Sequence, residues 1–217
     1  MFKWRALTVS EQSTIKIRVD VDYPYPSARA KSFLYVKLGI KRRGSDSYLK
    51  NARDIAEIIN KSPKNVMTYW FFTPYTIPDK KFLDLLKPEK NEVGLHIVTD
   101  AVEELGTLEK ETGRKAKFYT FHGTENRIAQ WLWGRKRGQK QASVPTDFPL
   151  KSFHDFVTTS LDRRIFEVGL EPVKQEAKKW VANGTVIAIH PEWLYVRGEK
   201  NKRGRFYEAL KMILEVP

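Results

Sequence analysis

The sequence predicts an α/β fold, an irregular (β/α) barrel with parallel strands. Three observations lead there. Short apolar strands alternate with amphipathic helical stretches through most of the chain, which requires crossover connections and parallel pairing. Six or seven such units fit within 217 residues. No glycine-rich fingerprint follows the first strand, which argues against a dinucleotide or P-loop fold. No linker or repeat divides the chain. One domain is therefore expected over 1–217, with 1–14 as an N-terminal extension.

The first core strand is read at 15–22. Ile15, Ile17, Val19 and Val21 fall at period two, as a buried strand face requires. Asp20 and Asp22 share the opposite face at its end, and Pro24 and Pro26 forbid further ladder pairing. Ser27 is positioned to cap a helix to about Ile40. Asp46 is positioned to cap the next helix, with Leu49, Ile55, Ile58 and Ile59 on one face and Pro63 ending it. The run at 65–72 is continuously apolar, as in a strand covered on both faces. Phe82, Leu83, Leu85 and Leu86 mark a short helix.

The alternation continues. A strand at 92–98 leads to a helix from Asp100 to Thr112, ended by Gly113. A strand at 117–123 leads to a helix from about Glu125 to Trp133, then a basic loop to Pro149. A weaker strand is read at 151–156 and a helix at 171–182. The clearest strand is 185–190, and an amphipathic helix at 202–215 closes the chain.

Composition limits the function classes. No cysteine is present, so disulfides and thiolate ligands are excluded. Charges interrupt the N-terminal apolar residues, so no signal peptide is expected. No apolar run is long enough to span a membrane, and a cytoplasmic location is the expectation. The net charge of +13 and pI near 9.8 favour anionic partners. Nucleic-acid binding by a non-catalytic member of the fold is the rival reading. Oligomeric state is not legible.

The chemistry gathers at strand ends. His96, His122, His154 and His190 each stand at or near the C-terminal end of a predicted strand, as do Asp20 and Asp22. In barrels those ends share one face, and that face holds the site. His96 and Asp100 are four apart across a strand end. With Asp22 they make a two-carboxylate, one-histidine set that leaves positions open on a metal. Asp100 suits a helix N-cap equally well. Pro191 stops the last strand and leaves the His190 imidazole at its mouth, where it can donate a proton near neutral pH.

Four segments resemble the polysaccharide deacetylases of the NodB-homology type, carbohydrate esterase family four. IRVDVDYP at 17–24 resembles the motif whose two acids serve as base and metal ligand. GLHIVTD at 94–100 resembles the metal-binding His-x-x-x-His motif, with Asp100 in the second histidine's place. FYTFHG at 118–123 stands where the family has an arginine- and proline-containing motif, and TVIAIHP at 185–191 resembles the motif of the general-acid histidine.

The resemblance implies a seven-unit barrel and a hydrolase that removes an acetyl group from an amide, such as an N-acetylated sugar, by metal-activated water. It assigns Asp20 as base, His190 as acid, and Asp22, His96 and Asp100 as ligands of one divalent cation. Zinc comes first for that family; manganese, nickel and magnesium are the alternatives, and a second carboxylate favours harder ions. The partner implied is a small-molecule or oligosaccharide substrate, with the basic loop at 134–140 able to attract an anionic one. His122, Tyr23 and Trp193 are the candidates for contacting it. The family's motif arginine is missing. Arg29 and Arg127 are the candidate replacements.

Overall fold

The computed structural model describes residues 14–25, 34–36, 38–39, 43–123, 142–194 and 204–215. Seven strands form one parallel sheet: β1 (Ile15–Val21), β2 (Val66–Phe72), β3 (Asn91–Ile97), β4 (Phe118–Phe121), β5 (Lys151–Ser152), β6 (Thr158–Ser160) and β7 (Val186–Ile189). The described helices are α1 (Lys50–Lys61), α2 (Lys80–Leu85), α3 (Ala101–Thr112), α4 (Leu161–Val168), α5 (Leu170–Ala182) and α6 (Gly204–Glu215).

The strand order is β5-β4-β3-β2-β1-β7-β6. This is the sequence order taken round a circle, with β7 returning beside β1. A doubly wound sheet would reverse at a switch point; this one winds in a single sense and curls, as a barrel does. Among the described residues no ladder joins β5 to β6, so the barrel is open on that side.

Register decides which side chains look inward. Arg18 pairs with Tyr69 and Asp20 with Phe71 across β1 and β2. Phe71 pairs with Gly94, His96 with Thr120, and Arg18 with Ala188. Partners in a parallel ladder share a face. One face therefore carries Arg18, Asp20, Phe71, Gly94, His96, Thr120 and Ala188, and period two extends it to Asp22, His122 and His190. The opposite face of β1, Ile15 to Val21, is buried in the main core with Ile55 and Ile59 of α1 and Leu210 and Ile213 of α6.

The inner face is filled below the site by aromatic rings. Phe71 and Phe153 meet at 5.0 Å, Tyr69 and Phe153 at 4.8 Å, and Phe118 and Phe153 at 5.5 Å. Gly94 makes room for this packing. A Cβ there would stand 2.5 Å from Phe71 Cε1 and 2.9 Å from the Phe118 carbonyl oxygen.

Several boundaries follow local chemistry. Asp100 caps α3 through the amides of Val102 and Glu103, and Gly113 ends it in the left-handed region at φ 66°, where glycine is favoured. Helix α1 departs from expectation. It begins at Lys50 behind a left-handed Leu49 (φ 52°), without Asp46 as its cap. The strand expected at 151–156 is only two residues long, because a 3₁₀ turn at Phe153–Asp155 breaks it. Strand β6 and helix α4 were not expected. TTSLDRRIF has too short an apolar pattern to announce them, and Ser160 capping the Arg163 amide fixes the start of α4. The expected helix at 125–133 lies outside the described residues, as does most of 27–40.

Candidate metal centre and acid–base site

Three buried side chains from three strand ends converge. Asp22 follows β1, His96 is in β3, and His122 follows β4. Asp22 Oδ1 stands 3.0 Å from His96 Nε2 and 3.3 Å from His122 Nδ1, and the two ring nitrogens are 3.2 Å apart. The three atoms form a nearly equilateral triangle. Ligands about 2.0–2.1 Å from a tetrahedral ion are separated by about 3.3–3.4 Å, and adjacent octahedral ligands by about 2.9–3.0 Å. The triangle fits either. Asp22 Oδ1 is buried and accepts no hydrogen bond in proper geometry from the described residues, an expensive arrangement unless a cation is the intended partner.

The donor states also fit. His96 Nδ1 lies 2.6 Å from Thr120 Oγ1. A proton on Nδ1, donated to that hydroxyl, leaves the Nε2 lone pair aimed into the triangle. Burial lowers the His96 pKa, against the pull of Asp20 and Asp22, so the ring is neutral near pH 7, as a ligand must be. Burial pushes the Asp22 pKa up, but His122 and His96 outweigh it and hold the carboxyl well below its usual range. The His122 ring is met edge-on by Tyr23 at 6.4 Å.

Beside the triangle stands a clamped carboxylate. Arg18 donates through Nε to Asp20 Oδ1 at 2.8 Å and through Nη2 to Oδ2 at 2.5 Å. Both residues are on β1, two apart, so the pleat alone brings them together. The Arg18 guanidinium also lies over the rings of Phe71 and Phe153, 5.7 and 5.9 Å from their centres. Burial raises the Asp20 pKa, but Arg18 above all, with His96 and His190, pulls it below the ordinary value. Asp20 is thus a buried anion, held in one orientation.

Opposite is a histidine–carboxylate pair. His190 Nδ1 lies 2.7 Å from Asp162 Oδ2, which also accepts the His190 backbone N–H at 2.8 Å. Its Nε2 faces Asp20 Oδ2 at 3.7 Å. Burial lowers the His190 pKa, but the bond to Asp162 and the charges of Asp22 and Glu192 outweigh it and hold it well above the ordinary value. The imidazole is therefore an acid at neutral pH. Glu192, next but one, is itself pushed up to about 8 by burial and by Asp22.

An open cleft of about 570 Å³ exposes these groups. Arg18, Asp20, Asp22, His96, His122 and His190 form its floor, and Thr158, Thr159, Ser160 and Arg163 form the wall on the open side of the barrel.

The structure brings together Asp20, Asp22, His96, His122 and His190 and leaves out Asp100 and Trp193. Asp100 is exposed, and its Oδ1 is committed to the α3 amides at 3.0 Å. In the triangle its expected place is taken by His122, which had been read as a substrate contact. Trp193 packs on Phe166 at 5.0 Å and Phe206 at 6.3 Å, outside the cleft lining. His154 lies on the 3₁₀ turn, exposed and stacked on Phe121 at 5.9 Å. Arg29 and Arg127 lie outside the described residues; Arg18 supplies a cation to Asp20. Strand parity carried a signal for Arg18 and His122, which fall in step with Asp20 and Thr120. Asp162 and Thr120 had no such signal, since their partners are 28 and 24 residues away.

Fold and site together define an α/β protein of barrel winding. Its Asp–His–His cluster is flanked by an Arg–Asp pair and a His–Asp pair at the strand ends. No protein-family model matches the sequence, and no curated protein matches it. A similar solved structure is the crystal structure of a mutant of a CE4-family pseudoenzyme with restored enzymatic activity. It shares 13% identity at a TM-score of 0.47, over 94% of this chain and 62% of that one. The chain thus spans less than two thirds of that protein's length. No helix among the described residues is long and apolar enough to cross a membrane.

Proposed function

We propose that this protein is a metal-dependent hydrolase that removes an acyl group, acetyl in the simplest case, from an amide such as an N-acetylated sugar. The observation that carries the reading is the triangle of Asp22 Oδ1, His96 Nε2 and His122 Nδ1, with edges of 3.0–3.3 Å. The motif resemblance to the polysaccharide deacetylases agrees with it. One carboxylate and two imidazoles suit zinc, manganese or nickel. Bound there, a divalent cation supplies Lewis acidity toward the acyl oxygen and the hydrolytic water.

The remaining roles belong to side chains. Asp20, kept anionic by Arg18, accepts a proton from the attacking water. Arg18 orients that carboxylate with two parallel N–H···O bonds. His190, held protonated by Asp162, delivers a proton from Nε2 to the departing nitrogen. An amine leaves badly unprotonated, so an amide substrate uses this acid fully. A positioned acid or base of this kind contributes about 10²–10⁴ in rate.

The experiment is metal content and metal-dependent melting, on the wild-type chain and on Asp22→Ala. The expected result is close to one divalent ion per chain and a melting rise that the variant loses. No bound metal and no shift with zinc, manganese, nickel or magnesium overturns the reading. A non-catalytic binding protein then takes its place.

A further inference from the structure

The charges around the site can be matched one by one. Asp20 is matched by Arg18, and Asp162 by His190. On the exposed wall Arg163 and Arg164 are matched by Glu167 and Glu176. Two buried carboxylates remain, Asp22 and Glu192. Neither forms an ion pair with a lysine or arginine among the described residues. Each also keeps one buried oxygen, Asp22 Oδ1 and Glu192 Oε2, that accepts no hydrogen bond there. Buried charge without compensation is costly.

Glu192 is close to Asp22 but outside the cleft. It belongs to the 3₁₀ turn Pro191–Leu194 that follows β7. Asn51 of α1 holds that turn, donating through Nδ2 to the Pro191 carbonyl oxygen at 2.9 Å. The Glu192 side chain is absent from the cleft lining and faces Asn51 and the segment Tyr23 to Tyr25 across a void of about 10 Å³. It does not join the triangle, whose ligand atoms all lie within 4.8 Å of one another. Its field still reaches the site, as a charge does in a low-dielectric interior. Burial and the Asp22 charge push its pKa up to about 8, and its own charge helps to raise that of His190.

We propose that Glu192 is the charge partner of the metal centre: it supplies, through space, the second negative charge that balances a divalent cation at Asp22, His96 and His122. The proposal rests on the metal reading above. With both imidazoles neutral, Asp22 cancels one of the ion's two charges and Glu192 the other. Glu192 touches neither the ion nor the substrate and acts on the ion by its field alone. Sequence spacing pointed to Asp100 as the second carboxylate, but Asp100 is exposed and committed to the α3 amides. The buried carboxylate that remains near Asp22 is Glu192.

The test is affinity for zinc, or for manganese if zinc does not bind, by competition against a chromogenic chelator. Melting of the metal-free protein is read beside it. Both are measured on the full wild-type chain, Glu192→Gln and Glu192→Met, which remove the charge and nearly keep the volume. The metal dissociation constant is expected to rise on the order of tenfold in each variant. The metal-free variants are expected to melt at the wild-type temperature or above it, because a buried repulsion with Asp22 is gone. A packing role would move melting and leave affinity unchanged. Asp100→Asn removes an exposed charge and is expected to change the constant by less than about twofold. Unchanged affinity in either Glu192 variant overturns the proposal. So does a loss of affinity matched by a loss of metal-free stability, or an Asp100→Asn effect as large as theirs. Those outcomes leave the metal reading standing; a wild-type chain that binds neither ion sinks both.

Discussion

Asp162 holds His190 at two points. Its Oδ2 lies 2.7 Å from the ring Nδ1 and 2.8 Å from the backbone nitrogen of the same residue. One carboxylate oxygen thus fixes both the tautomer of the imidazole and the place of its Cα. Asp162 is in the first turn of α4, buried, with its pKa raised by that burial against the pull of His190.

The pH dependence follows. Because the His190 pKa is raised well above its usual value, the alkaline limb of the rate profile is expected above the ordinary imidazole range. Asp162→Asn should move that limb back toward about 6.5 and lower kcat by about 10²-fold. Linkage has the same sign. The His190 contribution to stability is full below about 6.5 and is lost as pH rises through the raised value. Thermal melts between pH 6 and 9 on wild type and variant measure it.

Removing Arg18 leaves Asp20 buried without its cation. Arg18→Met is expected to cost about 3–5 kcal/mol, the range for breaking a buried pair, and to raise the acid limb of the rate profile. Asp20 in the wild type has a lowered pKa. Its stabilising contribution is therefore present above about 3.9 and is lost as pH falls through the lower native value. Denaturant midpoints at pH 3 and pH 7 should lie closer together in the variant.

His122 and Asp100 separate the two possible ligand sets. His122→Ala should abolish the metal-induced melting rise. Asp100→Ala should keep it, while losing about 0.5–2 kcal/mol of helix capping. Metal analysis after gel filtration reads the first effect and denaturant melts the second. The reverse pattern would return Asp100 to the metal.

Thr120 is expected to tune affinity without touching the ion. Thr120→Val conserves shape but removes the oxygen 2.6 Å from His96 Nδ1. The dissociation constant for zinc should rise about 10–100-fold, with melting of the metal-free protein changed far less. Competition against a chromogenic chelator measures it.

Most of the fold was legible because its signals are local. Period two in β1, the Gly113 stop of α3, and Pro63 behind α1 are decided within a few residues. Strand β6 and α4 were not legible. Three edge-strand residues and an eight-residue helix have too few positions for periodicity to register. Within the site, the side chains that follow strand ends could be gathered without knowing the register. Asp100 could not be settled, because one aspartate suits a cap and a ligand alike. Only its side-chain direction, toward the Val102 and Glu103 amides, separates them. Asp162 comes from an element the pattern did not reveal, so the partner that sets the His190 proton was out of reach.

β1 lies inside the sheet, two strands from its β6 margin, paired along its length with β2 and over four residues with β7. Arg18, Asp20 and Asp22 are therefore on or beside the strand whose amides are last to exchange with solvent, while β5 and β6 at the free margins open first. Fraying at those margins can widen the cleft without disturbing Asp20 or Asp22, the carboxylates proposed as base and metal ligand. The entrance can breathe on one timescale while the reacting groups stay fixed on another. On heating, loss of the metal centre and loss of the cooperative fold should coincide as a single event.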